Sequence, residues 1–155
     1  MDAFPREPYI IRGGSKLDDR GVLSYVNDFD FAGVVRFYLI ENHSPGFVRA
    51  WHGHRREAKF VFVVSGTAMI CAAPLEAFEK YESGDFKQAG IFRRVLSGHR
   101  PAIMYIPPGY ANGAMAIKPD TKIMHFSTLR MGEDPGDDVR FPAEIFKEVW
   151  LVKSR

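Results

Sequence analysis

The stretch from Gly46 to Gly66, GFVRAWHGHRREAKFVFVVSG, constrains this chain more than any other. His52 and His54 stand two positions apart on an extended segment, so strand alternation turns both rings toward one face of a sheet. Beyond them, Lys59 opens the apolar run Phe60 to Val64, which reads as a buried strand closed by Gly66.

The rest of the chain repeats this rhythm. Tyr9-Ile10-Ile11, among Pro5, Pro8, Gly13 and Gly14, predicts an edge strand. Asp18 to Gly21 is a turn by composition. Strands are expected over Val22–Phe29, Val34–Ile40, Thr67–Ala73, Phe92–Leu96, Ala102–Ile106, near Gly113–Ile117, and over Ile123–Thr128. In the second of these, Val35, Phe37 and Leu39 share one face, and Arg36 and Tyr38 the other. Ile123, His125 and Ser127 share a face in the last. Residues 74–90 read as a polar, irregular surface excursion and residues 132–138 as an acidic loop. Pro142 to Val152 is the one convincing helix, with Pro in its first turn and Ile145, Phe146, Val149 and Val152 at helical spacing. Thirteen Phe, six Tyr, 14 Gly and 10 Pro suit many short strands and tight turns better than a helical bundle. The expected fold is all-β, a sandwich or barrel, in a single domain over residues 1–155.

Several function classes drop out. The net charge is +2 and Lys and Arg are spread along the chain, so no basic tail points to nucleic acid. No apolar run approaches the roughly 20 residues of a membrane helix. The lone Cys71 excludes an internal disulfide, and the start does not resemble a signal peptide, so a cytoplasmic location is expected.

The frame Gly46-x5-His52-x-His54-x4-Lys59-x6-Gly66 resembles the first signature of the cupin superfamily, and Pro107-Pro108-Gly109-Tyr110-Ala111-Asn112 resembles the second. The resemblance implies a double-stranded β-helix, or jelly roll, here with a short C-terminal helix. In metal-binding cupins the positions of Lys59 and Asn112 carry an acid and a histidine. An ammonium has no lone pair for a cation and repels it, and an amide oxygen is a weak replacement for imidazole. The expectation is therefore no metal and no cofactor, with the histidines free for acid–base work.

Within the cupins the chain resembles the dTDP-4-dehydrorhamnose 3,5-epimerases and the nucleotide-sugar 3,4-ketoisomerases. This rests on Asp19-Arg20-Gly21, Arg49-x-x-His52 followed by Lys59, and Ile106-Pro107-x-Gly109-Tyr110-Ala111-Asn112-Gly113. The resemblance implies that His52 is the base removing a proton beside the C4 ketone of a sugar nucleotide. It implies an acidic partner for His52 at Asp137 or Asp138, with Asp138 preferred, and an enolate-stabilising role for Lys59. His54 matches a second histidine of the ketoisomerases. Where the epimerases place a tyrosine as the opposing acid, this chain has His125, and their Ala-His-Gly is Ala-Asn-Gly here. Arg49, Arg20 and Arg36 are the candidates for phosphate, and Tyr38 or Tyr110 for stacking on the base. Arg49 carries a geometric condition: strict alternation puts it opposite His52, so it needs a bulge. A homodimer is implied by the family alone.

The chemistry explains the residue types. Imidazole, with an ordinary pKa of about 6.5, is largely neutral and basic at physiological pH. A carboxylate on its far nitrogen fixes the tautomer, and an ammonium aimed at the developing enolate oxygen contributes ~3 kcal/mol. Returning the proton from the opposite face inverts the carbon, whereas moving it between C3 and O4 shifts the ketone. The expected function is epimerisation of a nucleotide-linked 4-keto-6-deoxyhexose at C3 or C5, leaning to C3. The alternatives are a 3,4-ketoisomerase and, in another class, a sugar-binding cupin without catalysis.

Overall fold

The structure is a computed structural model that describes residues 5–82 and 89–155. Its strands are β1 (Tyr9–Arg12), β2 (Gly14–Asp18), β3 (Gly21–Tyr25), β4 (Arg36–Glu41), β5 (Val48–His54), β6 (Lys59–Ser65), β7 (Thr67–Pro74), β8 (Phe92–Ser97), β9 (Ala102–Ile106), β10 (Tyr110–Ala116), β11 (Lys122–Ser127) and β12 (Val139–Arg140). One α-helix, α1 (Leu75–Glu82), follows β7. The first five-stranded sheet has the order β1-β9-β6-β11-β4, the second β12-β5-β10-β7-β8, and β2 and β3 form a separate hairpin. Every pairing is antiparallel. The fold is thus all-β with a short helix, a cupin-like topology. No helix among the described residues is long and apolar enough to cross a membrane.

Alternation sorts the core into layers. On β7, Ala68, Ile70 and Ala72 join Val61, Val63, Met104, Ile106, Ala114 and Ile123 in a core shared by both sheets. The intervening Met69, Cys71 and Ala73 face the opposite way, into a second core with Trp51, Phe78, Phe146 and Trp150. Burial on both faces explains why β7 is almost continuously apolar. A third cluster, Phe60, Ile103 and Tyr105 with Phe29 and Phe126, lies on the far face of the first sheet. The two tryptophans therefore pack inside the chain, with ring centroids 5.3 Å apart.

The shared core gives way to polar side chains toward one end. Along β11 the inward positions run Ile123, His125, Ser127; along β6 they run Val63, Val61, Lys59; along β10 Ala114 is followed by Asn112. This change, strand by strand and at the same level, creates the site.

Two expectations are corrected. Pro142 to Val152 is not a helix but a chain of turns ending in the 3-10 segment Lys147–Trp150. Phe146 adopts a left-handed φ of 58°, which interrupts any helix there. The carbonyls of Ile145, Val149 and Leu151 are taken instead by Trp51 Nε1, Arg93 Nε and Arg93 Nη2. Burial of Phe146 and Trp150 against Trp51 and Phe78 thus overrides the local period. The short helix lies instead at Leu75–Glu82, within the stretch expected to be irregular, because Ala77 and Phe78 bury against the second core. The remainder of that expectation, at residues 83–88, lies outside the described residues.

Candidate active site

The polar end of the sandwich opens into a cavity of about 390 Å³. Arg36 and Tyr38 reach it from β4, Arg49, His52 and His54 from β5, Lys59 from β6, Asn112 from β10 and His125 from β11, with Asp137, Asp138 and Arg140 arriving from the C-terminal segment. The two histidines share a face, as their spacing requires. Gly53 between them points the other way, where a Cβ would come within 2.5 Å of Leu75 Cδ2.

Arg49 meets its geometric condition. Asn112 pairs with His52 but Ala114 pairs with Arg49, so β5 holds one extra residue between Arg49 and His52. The bulge brings Arg49 round to the cavity. It has no carboxylate partner among the described residues, unlike Arg36, Arg56 and Arg140.

His52 is half-buried on the cavity wall. Burial, then the charges of Arg140 and Lys59, lower its pKa, and Asp138 opposes them. The ring is therefore neutral and basic at physiological pH. Asp138 lines the same cavity, but its carboxylate accepts from Arg140 at 3.0 and 3.1 Å, and among the described residues no hydrogen bond joins it to His52. Asp137 is buried and accepts backbone N–H bonds from Arg55, Arg56 and Glu57 at 2.7, 2.9 and 3.0 Å. Of the two candidate acids, Asp138 acts on His52 through charge, raising its pKa.

The floor of the cavity is a closed chain of hydrogen bonds. Lys59 Nζ lies 2.8 Å from His54 Nε2, and His54 Nδ1 lies 3.0 Å from Glu57 Oε2. The other oxygen of Glu57 accepts from Arg36 Nη2 at 3.0 Å and from the Ser127 hydroxyl. Burial alone would raise the Glu57 pKa, but the His54 hydrogen bond, the Lys59 charge and the Ser127 hydrogen bond bring it down to about 2. Burial lowers the Lys59 pKa, and the Glu57 charge is the strongest influence against it.

His125 is fully buried at this level. Burial, reinforced by the charges of Lys59 and His52, pushes its pKa down to about 3, so the ring is neutral. Among the described residues neither ring nitrogen has a hydrogen-bond partner. His125 stacks on Tyr38, with centroids 4.9 Å apart and planes 6° from parallel. The Tyr38 phenol is itself raised to about 12, chiefly by burial and then by Glu57. A neutral His125 does not suit an imidazolium acid.

Two candidate residues lie away from the cavity, and a third lines it while bonded to the backbone. Arg20 sits in the β2–β3 turn, pairs with Asp18 at 2.6 Å in solvent and does not line the cavity. Tyr110 packs against the shared core and does not line the cavity either. Asn112 lines it while donating to the His52 carbonyl at 2.9 Å, so it braces β5. Sequence reasoning missed Glu57 and Arg140. Glu57 had a signal, as the one carboxylate between His54 and Lys59.

His54, Glu57 and Asp137 place potential ligand atoms within 4.8 Å of one another. Their free valences are already filled by backbone N–H groups, Arg36 and Ser127, and the Lys59 ammonium faces the remaining His54 nitrogen. These residues do not fit a divalent cation.

The fold is similar to those of solved sugar-nucleotide epimerases and 3,4-ketoisomerases. The rmlC epimerase of Mycobacterium tuberculosis matches 97% of this chain and 76% of its own, with a TM-score of 0.72 at 15% identity. The dTDP-4-dehydrorhamnose 3,5-epimerase of Sulfolobus tokodaii matches with 0.67 at 21% identity, over 90% of this chain and 79% of its own. A variant of the 3,4-ketoisomerase of Thermoanaerobacterium thermosaccharolyticum, in complex with TDP-4-keto-6-deoxyglucose, matches with 0.65 at 14% identity, over 94% and 96%. No family model and no curated protein matches the sequence.

Proposed function

We propose that the chain epimerises a nucleotide-linked 4-keto-6-deoxyhexose, leaning to C3, as a single cupin domain over residues 1–155 folded as a double-stranded β-helix. One observation carries this reading: the His52 imidazole and the buried Lys59 side chain line one cavity. In this scheme His52 takes the proton from the carbon beside the ketone, and the C–H electron pair passes to the C4 oxygen. Lys59 donates to that oxygen as it gains charge. Protonation of the enolate by a solvent proton from the other face restores the ketone with the carbon inverted, and His52 releases its proton to solvent, so the reaction is balanced and redox-neutral. Asp138 stabilises the His52 imidazolium through charge. Arg49, without an acidic partner among the described residues, receives the diphosphate, and Arg36 and Tyr38 line the path to it.

In this scheme His125 and Tyr38, which line the cavity, are the pair opposite His52. The neutral His125 N–H is a weak acid, which supports inversion at a single centre; a product inverted at both C3 and C5 would overturn that part. The 3,4-ketoisomerase is the second reading, favoured by two histidines on one face. Against it, both nitrogens of His54 are engaged by protein groups. A homodimer is supported by the outer face of the first sheet, where Phe37 and Leu39 are exposed.

The test is incubation with dTDP- and CDP-linked 4-keto-6-deoxyglucose in deuterated water, followed by proton NMR. Loss of the C3 proton signal with wild type and not with His52→Ala supports the proposal. A 3,4-shifted ketone in the product establishes the second reading. Binding without exchange makes the chain a sugar-binding cupin.

A further inference from the structure

We propose that Glu57 is a positioning residue for Lys59 and acts through His54: it fixes His54 as the Nδ1–H tautomer, so that Nε2 accepts from the Lys59 ammonium and aims it into the cavity. This rests on the proposed role of Lys59 at the enolate oxygen. It gives His54 the task of an acceptor and excludes it as a second base.

Donors and acceptors decide the tautomer. A neutral imidazole has one N–H and one lone pair, while an ammonium has donors only. With Lys59 Nζ at 2.8 Å from Nε2, that nitrogen accepts, and the ring hydrogen is left on Nδ1. Nδ1 faces Glu57 Oε2 at 3.0 Å, an acceptor without a proton of its own and nearer than Asp137 Oδ2 at 3.5 Å. Both ends of the ring therefore select the same tautomer, as a carboxylate does for imidazole elsewhere.

Glu57 is well placed to set it. The carboxylate is 5% exposed, and its second oxygen is held by Arg36 and Ser127. The loop carrying it, residues 55–58, is tied down by three backbone N–H bonds to Asp137 and by Ala58 N to Thr128 Oγ1 at 2.9 Å. Neither Glu57 nor Lys59 can turn away without leaving buried polar groups unpaired. The chain from Arg36 through Glu57 and His54 to Lys59 thus locates the ammonium from behind.

The charged and titratable groups around Lys59 are His52 and His54 from β5, Glu57 from the loop, Arg36 and Tyr38 from β4, His125 from β11, and Asp137 and Asp138 from the C-terminal segment. Of the charges acting on it, Glu57 is the strongest, and it favours the ammonium. Removing that charge lets the ammonium deprotonate at lower pH.

The test uses the full chain with nitrogen-15 histidine and lysine and needs no substrate, so it stands or falls apart from the epimerase reading. Imidazole nitrogen NMR should show His54 as the Nδ1–H tautomer. In Glu57→Gln that signal should change, and the Lys59 Nζ titration should move to lower pH. With substrate, Glu57→Gln should lower kcat roughly tenfold, as loss of a supporting partner does, with little change in KM, and draw in the alkaline limb of the pH profile. His54→Gln, whose amide offers an oxygen to Lys59 and an N–H to Glu57, should leave the Lys59 titration near its wild-type position, whereas His54→Leu should not. An Nε2–H tautomer in wild type overturns the proposal. So does a Lys59 titration indifferent to Glu57→Gln or, if that variant does not fold, equal in His54→Gln and His54→Leu.

Discussion

The floor and the mouth of the cavity are built on opposite principles. On the floor, Lys59, His54, Glu57, Arg36 and Ser127 satisfy one another in a buried chain. At the mouth, His52 is half-buried with no hydrogen bond to Asp138, and Arg49 is exposed with no acid beside it among the described residues. Groups that are saturated hold a geometry, and groups with spare hydrogen-bonding capacity, the Lys59 ammonium among them, are left for a ligand. The distinction sorts residues of the same type: His52 and His54 lie on one face of one strand, yet only His52 remains free to accept a proton.

The sharpest break would come at the mouth. His52→Ala should reduce substrate C–H exchange by about 10³-fold, the scale of a lost general base, while thermal unfolding stays close to wild type. A comparable loss of stability would show that His52 belongs with the structural floor. Next is the floor itself: Glu57→Ala should cost about 3 kcal/mol in urea unfolding, because it strands Arg36 and the Lys59–His54 pair. The sign of the pH effect follows from its pKa. The folded value is about 2 against an ordinary 4.5, so Glu57 stabilises the fold fully above pH 4.5, and that contribution is lost as pH falls toward 2.

Smaller effects should refine the mouth. Arg49→Ala should raise KM roughly tenfold with kcat nearly unchanged, the size of one charge-assisted contact to phosphate. Arg140→Ala should act least, and on pH alone. Arg140 is the strongest charge lowering the His52 pKa, so its removal should shift the acidic limb of kcat/KM to higher pH by less than about one unit. A shift to lower pH would mean that the partnership of Arg140 with Asp138 governs His52 instead.

Legibility followed locality. The shared face of His52 and His54 is a matter of two residues on one strand, and the cavity bears it out. The face of β4 carrying Arg36 and Tyr38 was readable as a face, but not as the inner one. Phe37 and Leu39 on the other side are exposed, the reverse of what an apolar stripe implies for a lone sheet. Arg20 was misplaced because its Asp-Arg-Gly triplet closes a hairpin of its own. Residues 142–152 have helical spacing, yet Phe146 and Trp150 gain more by packing on Trp51 and Phe78 than the segment gains from helical hydrogen bonds.

By itself, the sequence determined the strands, their turns, and the side chains that share a face, because a period of two and a glycine of positive φ act within a few residues. Only the tertiary structure decided the bulge that turns Arg49 inward and the meeting of Glu57 with Arg36 and Ser127. It also decided which histidine stays free. These depend on groups brought together from β4, β5, β11 and the C-terminal segment. Hydrogen bonds and burial between such distant residues exist only once the sheets have closed on one another.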